Sequence, residues 1–135
     1  MTVRRISSGG PWEERVGYSR AVVAGPHVLV SGCTATVDGK LVGEGDARRQ
    51  TEAALGVACR ALAEAGGELE DVVRTRLYVT DIDRWAEVAE AHRALFADVR
   101  PAATMVEVSR LIDPRMLVEV ELEAYVPTDR TGMPG

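Results

Sequence analysis

Little in this chain could hold a metal or a framework of disulfides. It has two cysteines, Cys33 and Cys59, two histidines and no Cys-x-x-Cys spacing in 135 residues. Neither a zinc site nor a disulfide scaffold is expected, and both thiols read as reduced. A basic run is also missing: the net charge is −5, which argues against electrostatic binding of nucleic acid. No window approaches the ~20 apolar residues of a membrane span. The arginines of MTVRRISSGG are not followed by the apolar stretch of a secretory leader. The expectation is a cytoplasmic protein with no membrane or nucleic-acid partner. There is no GxGxxG, P-loop, HExxH or GxSxG string either, so no nucleotide, zinc-hydrolase or serine-hydrolase chemistry announces itself.

What is present is an ordinary globular composition, 46% apolar and 27% charged, in a chain long enough to bury a core as one domain. We expect that domain over residues 1–127, with the polar, glycine- and proline-bearing residues 128–135 as a flexible tail.

Thr2 to Ile6 reads as a short strand, ended by SSGGPW, which we expect to break regular structure. Val22-Val23, AGPH and Val28-Leu29-Val30 spell a hairpin, and Asp38-Gly39 a second tight turn. Asp46 should cap a helix whose apolar face is Thr51, Leu55, Ala58, Leu62 and Ala65, stopped by Gly66-Gly67. VVRTRLYVT, residues 72–80, is rich in β-branched residues and reads as a strand. Asp81 or Asp83 should open a second helix, with Trp85, Val88, His92, Leu95 and Phe96 on one face. RPAATMVEV then gives a loop and a strand. Met116 to Val126 alternates strictly, with Glu119, Glu121, Glu123 and Tyr125 opposite Val118, Val120, Leu122, Ala124 and Val126.

The order β-β-β-α-β-α-β-β predicts an α+β fold in which one mixed sheet buries one face under two helices. The other face would then carry the glutamate row together with Arg74, Arg76 and Tyr78. It is either solvated, with arginines pairing glutamates across strands, or meets another subunit.

Residue by residue, the chemistry is sparse. Cys33 follows a Ser-Gly strand end and reads as a small packing residue unless a cation or base accompanies it. His92 shares a helix face with apolar residues and reads as a core-edge histidine. Glu121 could act as a general base if partly buried, since its neighbours Glu119 and Glu123 would raise its proton affinity. Arg74 and Arg76 suit carboxylates.

GYSRAV (17–22), VSG (30–32), Gln50, LAEAGGELEDVVRT (62–75), YVTDIDRW (78–85), RPAATMVEV (100–108) and VEVELEAYV (118–126) occur in an order that resembles the RidA family, also called YjgF, of enamine/imine deaminases. That resemblance implies a chorismate-mutase-like fold, mostly antiparallel, in a homotrimer with small-molecule clefts between subunits. It implies hydrolysis of reactive 2-imino acids without metal or organic cofactor. It carries the family tyrosine onto Tyr18, the strand-end serine onto Ser31, with Cys33 two residues on, and the water-positioning glutamate onto Glu121. The arginine that grips the substrate carboxylate falls on Ala103. Losing such a contact costs about 2–5 kcal/mol, so ordinary 2-imino acid deamination is not expected. Arg76 could reach in as a substitute; Arg100, up to ~10 Å back along an extended chain, is a poor one. Two readings follow: a hydrolase of RidA type with a different substrate, or a non-catalytic trimer that binds a small molecule or protein.

Overall fold

The structure is a computed structural model that describes residues 3–131. Its frame is one six-stranded sheet ordered β1-β2-β3-β8-β6-β7. The strands are β1 (Val3–Ile6), β2 (Ala21–Ala24), β3 (His27–Cys33), β6 (Val72–Val79), β7 (Ala102–Glu107) and β8 (Val118–Tyr125). Neighbours are antiparallel except β6 and β7, which run parallel. Helices α2 (Ala47–Glu64) and α3 (Trp85–Phe96) cover one face. The fold is therefore the expected mixed, mostly antiparallel α+β sheet.

The alternation of β8 decides which face is covered. Val118, Val120, Leu122 and Ala124 are at most 2% exposed and pack with Leu55, Ala58, Leu62 and Phe96 in one core. Asp46 caps α2 as expected, its side chain accepting from Arg49 N at 2.9 Å. Gly66 ends the helix with φ +89°, and a Cβ there would lie 2.0 Å from the Arg130 carbonyl; both facts require glycine. Gln50, fully buried, knits two loops to α2. It donates to the carbonyls of Gly43 (3.2 Å) and Arg115 (3.0 Å) and accepts from Leu117 N (2.8 Å).

Some expectations need correction. SSGGPW does not simply break structure: Pro11 starts a short helix, α1 (Pro11–Val16), because proline at a first helical position forfeits only a donor that has no partner there. The tight turn expected at Asp38-Gly39 is present, both residues with positive φ, and it closes a hairpin separate from the main sheet, β4 (Thr36–Val37) and β5 (Lys40–Leu41). Asp81 caps a single 3-10 turn (Ile82–Arg84) that feeds α3, and Trp85 is 57% exposed rather than part of the apolar face. The residues expected as a flexible tail include α4 (Thr128–Thr131), tied down by Arg130 to Asp71 (2.8 Å) and by Arg4 to the Thr131 carbonyl (2.9 Å); residues 132–135 of that expectation lie outside the described residues. Among the described residues no helix is long and apolar enough to cross a membrane.

Candidate functional site

The open face of the sheet carries Glu119, Glu121 and Glu123 because each alternates with a core residue on β8. β6 lies beside it, with Arg76 opposite Glu121 and Tyr78 opposite Glu119. Arg76 Nη1 contacts Glu123 Oε1 at 2.8 Å and Glu121 Oε1 at 3.4 Å. The Tyr78 hydroxyl donates to the same Glu121 oxygen at 2.6 Å. That hydrogen bond, followed by burial, pushes the Tyr78 phenol above its ordinary range. Among the described residues nothing is bonded to Glu121 Oε2. A carboxylate held at one oxygen and open at the other can orient and deprotonate a water.

Next to this row a cavity of about 580 Å³ opens between α1, β3 and the start of β2, with Tyr18, Arg20, Cys33 and Glu119 in its wall and Trp12 and Ile112 at its rim. Arg20 organises this wall. Its Nη1 donates to the Gly32 carbonyl (2.6 Å) and lies 3.3 Å from Cys33 Sγ, and its Nη2 reaches the Tyr18 hydroxyl (3.3 Å). Its Nε is buried without a hydrogen bond, 3.6 Å from Glu13 Oε2. Glu13 is itself buried. Burial opposes its charge, but donors from Ser8 and Ser7 and the neighbouring Arg20 outweigh it and hold the carboxyl below its usual range.

Cys33 is not an activated nucleophile. Burial raises its pKa, the Arg20 charge only partly offsets this, and its thiol donates to the Ser31 carbonyl at 3.2 Å. Glu119 is half-buried. Burial first, then repulsion from Glu121, raise its proton affinity against the pull of Arg20. It makes no hydrogen bond or ion pair among the described residues. Its carboxylate lies over Gly32, where a Cβ would stand 1.9 Å from Oε2. Among the described residues no cluster of three or more His, Cys, Asp or Glu is placed to hold a metal.

The structure gathers some of the sequence-predicted residues and separates others. Tyr18 and Cys33 share the cavity. Ser31 is not among its lining residues; its hydroxyl donates to the Ser19 carbonyl at 2.6 Å. Glu121 and Arg76 share the open face, where Arg76 is occupied by two carboxylates. Ala103 is in register with Thr75, whose hydroxyl meets His92 of α3 at 2.8 Å. It therefore points to the helix side of the sheet, opposite to Glu121, at the exposed outer edge. Arg100 turns away to the Ala97 carbonyl at 3.2 Å. Arg20 and Glu119 are the residues sequence reading did not single out for the cavity. The signal for Arg20 was its spacing: two residues after Tyr18, it falls on the same side of an extended chain.

A family model described as Endoribonuclease L-PSP matches residues 12–126. The chain belongs to this family, the YjgF/RidA family. Among solved YjgF/RidA structures it is similar to Rv2704 of Mycobacterium tuberculosis, titled a member of the YjgF/YER057c/UK114 family, with 50% identity and a TM-score of 0.86 over 93% of this chain and 100% of that one. It is 48% identical to the protein SCO2049 of Streptomyces coelicolor over 91% of this chain and 92% of that protein. It is 36% identical to the RutC family protein PYRAB12510 of Pyrococcus abyssi over 80% and 85% of the two chains.

Proposed function

We propose that this protein hydrolyses a small imine or enamine that lacks a carboxylate beside the reacting carbon, in a cleft completed by a second copy of the chain in a homotrimer. The observation that carries the reading is Glu121, fixed at Oε1 by Tyr78 and Arg76 and open at Oε2. That arrangement suits a base that takes a proton from water as it adds to an electrophilic carbon. The methyl group of Ala103 and the double engagement of Arg76 argue against gripping an acid. Assembly is supported by the open face, which exposes Leu29 (46%), Tyr125 (57%) and Val106 (42%) around the charged row. Ala103 and Glu121 lie on opposite faces of one sheet, so one ligand meets both positions only between copies. The net charge of −5 disfavours an RNA-cleaving role.

The test is ammonia release from imines generated in solution, comparing 2-aminoacrylate and longer 2-imino acids with their amide counterparts. Turnover of the amides above buffer, lost in Glu121→Gln, is expected. Buffer rates across the panel, with a metabolite that still raises the melting temperature, would replace this reading with a non-catalytic binding trimer.

A further inference from the structure

We propose that the imine carries an apolar substituent of arylalkyl size, and that the cavity beside the glutamate row is the subsite that takes it. The inference rests on the hydrolytic reading above and names its substrate class.

Three segments bring the apolar part of the wall together. Trp12 and Val16 stand one turn apart on α1 and so share a face. Val57 comes from the flank of α2, and Ile112 from the connection between β7 and β8. Trp12, Val16 and Ile112 are large apolar side chains left exposed. Scattered singly they would mean little; gathered around one hollow they mark a place for an apolar ligand.

The short helix that carries Trp12 is pinned. Its Glu13 is buried, accepts from the Ser7 hydroxyl (3.0 Å) and the Ser8 amide (3.1 Å), and faces Arg20 at 3.6 Å. The Arg15 guanidinium, 5.4 Å from the indole centroid, steadies the Trp12 ring itself. A mouth held in this way needs little ordering when a ligand enters.

Reach decides the size of the substituent. Glu119 lines the cavity, and Glu121 is the next side chain on the same face of β8, about 7 Å along the strand. A reacting carbon held at Glu121 enters the cavity only through a group of about that length, which a benzyl or phenethyl group has and a methyl group lacks. The cavity, about 580 Å³, is of the size that encloses whole organic ligands, far more than a methyl-bearing imine fills. Arg60, Glu64 and Asp38 also line it. They are of both signs, so an ionic substituent finds no wall of one charge.

The test compares ammonia release from amide imines bearing methyl, isobutyl and benzyl groups. The ratio kcat/KM should rise along the series, by about 30-fold between its ends. Trp12→Ala and Ile112→Ser remove exposed side chains and leave the core intact. Each should lower the benzyl-to-methyl preference about fivefold. A second readout is independent of turnover. In a Trp85→Phe background Trp12 is the sole indole. Its emission should change on adding 3-phenyl-2-oxopropanamide, which should bind about 30-fold tighter than 2-oxopropanamide. Hydrolysis with equal kcat/KM across the series, or a preference that neither variant changes, overturns the subsite and leaves the hydrolytic reading standing. Buffer rates throughout, with Trp12 still reporting the aromatic amide, overturn hydrolysis and keep the subsite. An indole shielded from iodide in the ligand-free protein and blind to both amides means that a second copy fills the hollow, and the proposal fails.

Discussion

Tyr78 and Arg76 of one strand address the same oxygen of Glu121 on the next, the phenol at 2.6 Å and the guanidinium at 3.4 Å. A carboxylate gripped this way cannot rotate freely, and its second oxygen keeps a defined direction. Tyr78→Phe should therefore lower kcat about tenfold with little change in KM, as expected when only orientation is lost. Conversely, Glu121→Gln should lower the pH at which Tyr78 ionises, because the bond to Glu121 is the leading cause of its raised value. Ultraviolet titration of tyrosinate in the two proteins checks this.

The Glu119 carboxyl has a cost in stability. Its folded pKa is raised, so the folded chain holds this proton where the unfolded chain has released it. Its contribution is thus complete below about pH 4.5 and is lost as pH rises through the raised value. Glu119→Gln should be more stable than wild type near pH 7, and the advantage should vanish near pH 4. Urea unfolding at the two pH values measures the difference.

His92 has the opposite history. Burial lowers its pKa, and the neutral ring meets Thr75 at 2.8 Å. Below about pH 6.5 the unfolded chain takes up a proton that the folded chain resists, so stability falls with pH from there down to the depressed folded value. His92→Gln should flatten that part of the profile while leaving the neutral region less affected. Melting temperatures in a pH series would show it.

Gln50→Ala should be the most damaging of these substitutions. It strands the carbonyls of Gly43 and Arg115 and the amide of Leu117, all partners of a fully buried side chain, a loss of about 3 kcal/mol. Denaturant midpoints should fall accordingly, with the slope unchanged.

Ala103→Arg places a guanidinium on an exposed edge strand in extended backbone, so it should fold normally. If copies of the chain assemble as proposed, affinity for 2-imino acids should rise about 30-fold or more. KM values for acid and amide substrates, measured side by side, would reveal a reversal of preference.

How much of this was legible beforehand follows from what each signal depends on. The β8 alternation and the α2 face are local periodicities, and both faces appear in the structure as read. The pairing of Arg76 with the glutamate row followed from putting two alternating strands side by side. Helix α1 was missed because Gly9-Gly10 argued for a breaker, while Pro11 was in fact a starter. The α4 turn was missed because its support is distant: Asp71, Arg4 and the bare Gly66 are contributed by other elements. Of the cavity wall, Tyr18 and Cys33 were legible but the organising role of Arg20 was not. Arg20 and Cys33 meet only once the β2–β3 hairpin closes and a bulge between Val30 and Cys33 reorients the end of β3.

Because Ala103 and Glu121 occupy opposite sides of a single sheet, the two halves of any shared cleft can change separately. On the hydrolytic reading proposed above, substitutions along β7 would change the ligand-facing edge without disturbing the carboxylate row on β8. The same reading makes selectivity between acid and amide an edge property and water activation a mid-sheet property of one scaffold.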